Sequence, residues 1–281
     1  MIIRPVIALL IFAMSPAAAQ FHPGSRPQAI VEPFFDIIFP HVVSGGSWTT
    51  RITLMNMESA PARGSVLFSD TQGDELFLEF TGIDGPVSLL DYTIPANGAI
   101  SIETVPSANI QQGYALLAGF APFGNERAVS GIVVFRQTVE GRPPFEASVP
   151  LSPITERRFR IPFDNTGGYQ TGIALTVPGI DSSGGMTSTP TRIEAQYWDD
   201  SGVPIGSASF YVPAFGQEAF ALSAKFPALA GRRGVIEFRS TGELMAAMGL
   251  RFHPGGAFTS LPTASLVEWH SESPGVVASR P

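Results

Sequence analysis

Trp48-Thr49-Thr50-Arg51-Ile52-Thr53-Leu54 returns later in the chain as Tyr169-Gln170-Thr171-Gly172-Ile173-Ala174-Leu175. Alternation decides what this stretch is. Trp48, Thr50, Ile52 and Leu54 share one face, and Thr49, Arg51 and Thr53 take the other, the period of two that marks a strand with one buried face. Tyr169, Thr171, Ile173 and Leu175 repeat the inward set.

Matches continue in the same order on both sides of this strand. Phe39-Pro40 and a Gly45-Gly46 turn precede the first copy, and Ile161-Pro162 and Gly167-Gly168 the second. Val66-Leu67-Phe68-Ser69-Asp70 with Gly73 matches Ala195-Gln196-Tyr197-Trp198-Asp199 with Gly202, each a strand entering a hairpin turn. Tyr92-Thr93-Ile94-Pro95-Ala96-Asn97-Gly98 matches Phe210-Tyr211-Val212-Pro213-Ala214-Phe215-Gly216. Here proline closes a strand and glycine offers the positive φ a turn can need. Tyr114–Leu117 aligns with Val235–Phe238, Ile132–Phe135 with Gly249–Phe252, and Val149-Pro150 with Leu261-Pro262. One β-rich unit of roughly 110 residues, an ordinary domain size, is used twice. About seven short strands per unit predict an all-β chain of two tandem antiparallel β-sandwiches, immunoglobulin-like in broad terms. A single large jelly roll is the competing arrangement, and a propeller would need more repeats of shorter period.

Residues 1–19 read as a secretory signal peptide: Arg4, an apolar run from Val6 to Met14, and Ala17-Ala18-Ala19 before Gln20. Ser15-Pro16 cuts the run short of the roughly 20 apolar residues a membrane span needs. The organisation expected after it is a linker over 20–33, repeat 1 over 34–152, repeat 2 over 153–266 and a polar tail over 267–281. With 44% hydrophobic and 15% charged residues, both repeats can bury a core. The chain has no cysteine, which removes disulfides, thiolate catalysis and Cys-based metal sites. Its formal charge of −7, which loss of Arg4 takes to about −8, argues against nucleic acid. The expected location is secreted or periplasmic, with no membrane span after cleavage.

Chemistry-bearing patterns are sparse. The histidines His22, His41, His253 and His270 show no HxH or HExxH spacing. No GxSxG elbow occurs. Asp74-Glu75 and Asp199-Asp200 lie in predicted hairpin turns, where aspartate serves turn geometry. Asp70, Asp74 and Glu75 could offer oxygen ligands to calcium, although they lack EF-hand spacing. Arg157-Arg158-Phe159-Arg160 reads as a charged strand edge that discourages pairing.

The repeats differ most in two insertions, one across Leu76–Asp91 and one around Asp181–Met186, and in Trp198, which replaces Ser69. Loops on a common scaffold are where functional difference concentrates. An outward tryptophan can stack on a sugar or anchor a partner. Trp198, Asp181 and Met186 are therefore the candidate ligand contacts.

The order Phe39-Pro40, Gly45-Gly46, Trp48-Thr49-Thr50 and Ile94-Pro95-Ala96-Asn97-Gly98 resembles a group of uncharacterised secreted bacterial proteins with tandem β-rich repeats. The resemblance covers nearly all of the chain after the signal and implies an exported, non-catalytic β module with no active site to carry over. Repeat 2 departs from the pattern at Tyr169 and Phe215. The function expected is that of a non-enzymatic interaction or structural module, without cofactor, presenting loops and strand edges to a protein or surface polysaccharide. The alternative is a carbohydrate- or small-ligand-binding protein using the aromatics of repeat 2. A two-domain periplasmic chaperone shares export and domain count, but no residues here mark its client cleft.

Overall fold

A computed structural model of the chain describes residues 19–24, 37–119, 129–180 and 185–266. The strands of the first half are β1 (Gln20–Pro23), β2 (Ile37–Ser44), β3 (Trp48–Asn56), β4 (Ala62–Asp70), β5 (Leu89–Ile94), β6 (Ala99–Glu103), β7 (Gln111–Gly119), β8 (Val129–Gln137), β9 (Phe145–Pro150) and β10 (Ser152–Pro153). Those of the second are β11 (Arg158–Asp164), β12 (Gln170–Thr176), β13 (Thr191–Asp199), β14 (Pro204–Val212), β15 (Gln217–Ala221), β16 (Arg233–Ser240), β17 (Ala246–Phe252), β18 (Phe258–Leu261) and β19 (Ala264–Ser265). One short helix, α1 (Leu222–Lys225), and a 3-10 turn at Pro227–Leu229 interrupt the second half.

The first half forms sheets ordered β1-β5-β4-β7-β2-β10 and β6-β3-β8-β9, and the second β14-β13-β16-β11-β19 and β15-β12-β17-β18. Apart from β1, each strand of the first half has a counterpart at the same place in the second. Every ladder is antiparallel. Each pair of sheets encloses one core. Phe39, Val66 and Leu117 meet Ile52, Val133 and Val149 in the first, and Ile161, Ile193 and Phe238 meet Ile173, Leu175 and Ala247 in the second. The expectation of antiparallel sandwiches holds in this layer sense. The strand order is the chain's own: an immunoglobulin domain groups its first, second, fourth and fifth strands, whereas here β2, β4, β5 and β7 share a sheet.

Three expectations need correction. Gln20–Pro23 is a strand on the edge of β5 rather than part of a linker, so His22 lies in a sheet. The positive φ of the Pro-Ala-x-Gly corners sits on Asn97 and Phe215, both at 56°, not on the glycines that follow. Finally, Ile132–Phe135 is matched in space by Met248–Arg251, one residue off the sequence alignment. Thr53 pairs with Ile132, and its counterpart Ala174 pairs with Met248. A one-residue slip turns every side chain to the opposite face. Met248, Leu250 and Phe252 therefore point out of the second sandwich rather than into it.

That outward face explains how the halves join. Ala174, Met248, Leu250 and Phe258 belong to the first half's core cluster, where the Phe258 and Trp48 rings lie 5.1 Å apart. A smaller cluster joins Ile38, Tyr114 and Leu116 to Ile154 and Ala246. The free faces carry ion pairs instead. Glu103 meets Arg51 at 2.6 Å and Arg136 at 3.2 Å, and Glu237 meets Arg158 at 2.6 Å and Arg160 at 2.7 Å. Counterpart positions show the exchange of character. Ile38 and Leu116 of the covered face correspond to Arg160 and Glu237 of the open one. Arg51 and Glu103 correspond in turn to Gly172 and Ala221. Each repeat has one apolar and one ionic outer face, but on opposite sheets, so the two copies stack head to tail.

Candidate functional site

The residues singled out by sequence do not converge. Asp181 lies outside the described residues, as do His270, residues 1–18 and residues 267–281. Met186 is 65% exposed and precedes β13, while Trp198 lies near that strand's far end. At about 3.3 Å per residue, more than 20 Å of strand separates them. Trp198 is half-buried, and the Arg160 guanidinium sits 5.4 Å from its ring centroid, within cation–π range. Arg158 and Arg160 lie on β11, inside the sheet rather than on its edge as expected, and both bind Glu237. Burial works against the charge on Glu237, yet the two arginines hold its carboxyl below the ordinary range.

The acidic turn is occupied with its own backbone. Asp70 Oδ1 accepts the amides of Gln72 and Asp74 at 2.8 and 3.0 Å, as Asp199 Oδ1 accepts those of Ser201 and Val203, both at 2.9 Å. These are Asx turns. Among the described residues no three His, Cys, Asp or Glu side chains group to hold a metal, so Asp70, Asp74 and Glu75 are not brought into a calcium site. The Leu76–Asp91 insertion is also not a free loop. Leu76, Leu78 and Phe80 are buried in the first core, and the Gly82–Pro86 tip is exposed except at Ile83, which packs against that core.

Sequence reasoning missed the place where polar groups do converge, the junction of the halves. In β2 the ladder with β7 slips between Phe39 and Val42, so Pro40 and His41 stand where the second half has Pro162 alone. This bulge pushes the Pro40 carbonyl toward the second half. There Gln217, 2% exposed, donates from Nε2 to Pro40 O at 2.6 Å and to Gly113 O at 2.8 Å. Thr176 Oγ1 donates to the same Pro40 oxygen at 2.9 Å. The Gln217 amide nitrogen donates to Thr71 O at 3.1 Å, and the Tyr114 hydroxyl to Phe215 O. Phe215 adopts its left-handed backbone, unfavourable for a bulky residue, against the first half. A Cβ on Gly73 would stand 2.8 Å from its carbonyl oxygen, and one on Gly179 2.4 Å from its ring. Packing from both halves holds the strained residue in place.

With both Nε2 hydrogens committed to carbonyls, Gln217 presents Oε1 to His41 Nδ1 at 3.1 Å. Nδ1 therefore carries the proton, and Nε2 is the bare nitrogen. Beside His41, Gln112, Gly172 and Leu250 line a cleft of about 370 Å³ between the halves. Burial pulls the imidazole from 6.5 down to about 4, the Gln217 hydrogen bond acting weakly in the other direction. The folded protein thus holds His41 neutral where the unfolded chain binds a proton. Stability should be level above pH 6.5 and fall as the pH drops toward 4. Because His41 is only half-buried and lines the cleft, solvent screens part of this effect, and between pH 7 and pH 5 the expected loss is about 1 kcal/mol. Urea unfolding at the two pH values should show it, and His41→Gln should remove most of the difference.

No family model, no curated protein and no solved structure matches the chain.

Proposed function

We propose that the chain is an exported, non-enzymatic interaction module that presents strand edges and loops at fixed spacing to a protein or a cell-surface polymer. One observation carries this reading: the apolar faces of the two repeats are spent on each other. Ala174, Met248 and Leu250 join the first core, and Gln217 is satisfied only across the junction and by Thr176. What remains outward is ionic faces, end loops and sheet edges, which are surfaces for recognition. The signal-like residues 1–19 support export, and β1 starts at Gln20, directly after the expected cut. A sugar site at Trp198 is the second reading, and there a ligand would first displace Arg160 from the ring.

Co-sedimentation of residues 20–281 with cell envelopes of the producing organism tests the proposal. Saturable binding is expected. Loss of binding after protease treatment of the envelopes identifies a protein partner, and loss after glycan digestion a polymer. Absence of binding to intact envelopes would sink the proposal.

A further inference from the structure

The two sandwiches repeat each other strand for strand, and among the described residues one position in that correspondence is filled in the first half and open in the second. In the first half the outer edge of β5 is closed by β1, with Gln20, Phe21, His22 and Pro23 opposite Thr93, Tyr92, Asp91 and Leu90. The Gly24 amide extends the ladder by donating to Leu89 O at 3.0 Å. The counterpart of β5 is β14, with Ala208, Ser209, Phe210 and Tyr211 in the places of Leu90, Asp91, Tyr92 and Thr93. β14 pairs with β13, and among the described residues no strand lies on its other side.

Burial follows the same difference. Tyr92 is 3% exposed and Leu90 fully buried beneath β1, whereas Phe210 and Ala208 remain half-buried. The edge is guarded at one end alone. Proteins blunt long free edges with lysine, proline, bulges or inward charges; β14 opens on Pro204 beside a bulge in its ladder with β13, but Ile205-Gly206-Ser207-Ala208-Ser209-Phe210-Tyr211-Val212 has no charged residue and no proline. Tyr211 is 66% exposed. Behind the edge, Phe210 packs edge-on to Phe220 at 6.0 Å, with the Lys225 ammonium 4.0 Å above the Phe210 ring and neutralised by Glu218. An inward side chain arriving at Phe210 would meet an aromatic surface.

Resting on the interaction-module reading, we propose that the free edge of β14 is a docking site for an extended segment of a partner protein, which adds to the sheet as an antiparallel strand. β1 supplies the template for the partner's chemistry. The residue opposite Phe210 is aromatic or a long aliphatic, in the place of Phe21. Those opposite Tyr211 and Ser209 are polar and uncharged, and the one opposite Ala208 is small or proline. Main-chain hydrogen bonds give the affinity, and the inward residue gives the selectivity. Exchange of β1 itself between two copies would open one edge for each it closes and gains nothing. A segment from elsewhere adds a full set of bonds.

The test is titration of isotope-labelled residues 20–281 with the synthetic peptide Gln-Phe-His-Pro-Gly, the sequence of residues 20–24, followed by amide NMR. Saturable shifts across 206–212 in roughly the millimolar range are expected of so short a strand. Replacing the peptide's phenylalanine by aspartate should weaken binding at least tenfold, and methylating its backbone nitrogens should abolish it. Shifts absent, or confined to β1 and β5, would overturn the proposal. So would slow exchange, in the protein alone, of those β14 amides that do not donate to β13, which would assign the edge to the chain itself or to a second copy. Envelope binding without these peptide shifts rejects the edge and keeps the interaction reading. Peptide shifts without envelope binding do the reverse.

Discussion

Gln217→Leu will loosen the two halves and lower stability by roughly 2–5 kcal/mol, the cost of leaving two polar groups at the junction without the partners that Gln217 supplies. Leucine fills a similar volume, so the loss isolates hydrogen bonding from packing. The mutation strips the Pro40 and Gly113 carbonyls of one donor each and His41 Nδ1 of its acceptor. Pro40 O keeps Thr176. Because these bonds cross the junction, the consequence should be visible in cooperativity. The parent should unfold as one unit, since Ala174, Met248 and Leu250 share the first core. The variant should show two separable calorimetric transitions. A single transition shifted by less than 1 kcal/mol would mean that apolar contact alone holds the halves.

The strand content and the strand-for-strand correspondence of the halves were legible because alternation is local. Thr50, Ile52 and Leu54 declare their face whatever surrounds them, and every turn they imply is within reach of the same few residues. The junction was not legible, for a physical reason. A strand buried on both faces loses its alternation and reads as a near-continuous apolar run. Ala246-Ala247-Met248-Gly249-Leu250 is such a run, and without alternation nothing in it fixes register. The Gln217 node is hidden in another way. Its counterpart is Ala99, which pairs with the exposed Met55, whereas Gln217 pairs with the fully buried Thr176. A polar residue flanking a turn looks like surface until a second body covers it.

The candidate residues lie apart because a difference between the two halves need not mark binding. Trp198 and Arg160 differ from Ser69 and Ile38 because one sheet faces solvent and the other is covered. Divergence of duplicated copies records their stacking first. Any ligand specificity must be sought in what remains after that is accounted for. Among the described residues, the open β14 edge remains.

The Leu76–Asp91 insertion is the sharpest case, and Phe80→Ala tests it. Phe80 is 2% exposed, and its ring lies 5.2 Å from that of Phe68. In the second half the counterpart of Phe68 is Tyr197, and the ring beside it is Phe226, at 5.7 Å, delivered by the end of α1. The same gap in the sandwich is thus closed twice by unrelated segments. An extended insertion carrying Leu76, Leu78 and Phe80 does it in the first half. A helical turn carrying Leu222, Phe226 and Leu229 does it in the second. Emptying a buried phenylalanine site costs about 3–5 kcal/mol, and Phe80→Ala should lose that much in urea unfolding. Replacing the exposed Asp84 of the tip by alanine, beside Gly85 where added side-chain atoms would meet nothing within 4 Å, should cost less than about 1 kcal/mol. If the two changes cost the same, the insertion is a surface loop and the first core is closed by something else. If they differ as expected, the insertion survives because a sandwich open along one side cannot keep water from its core.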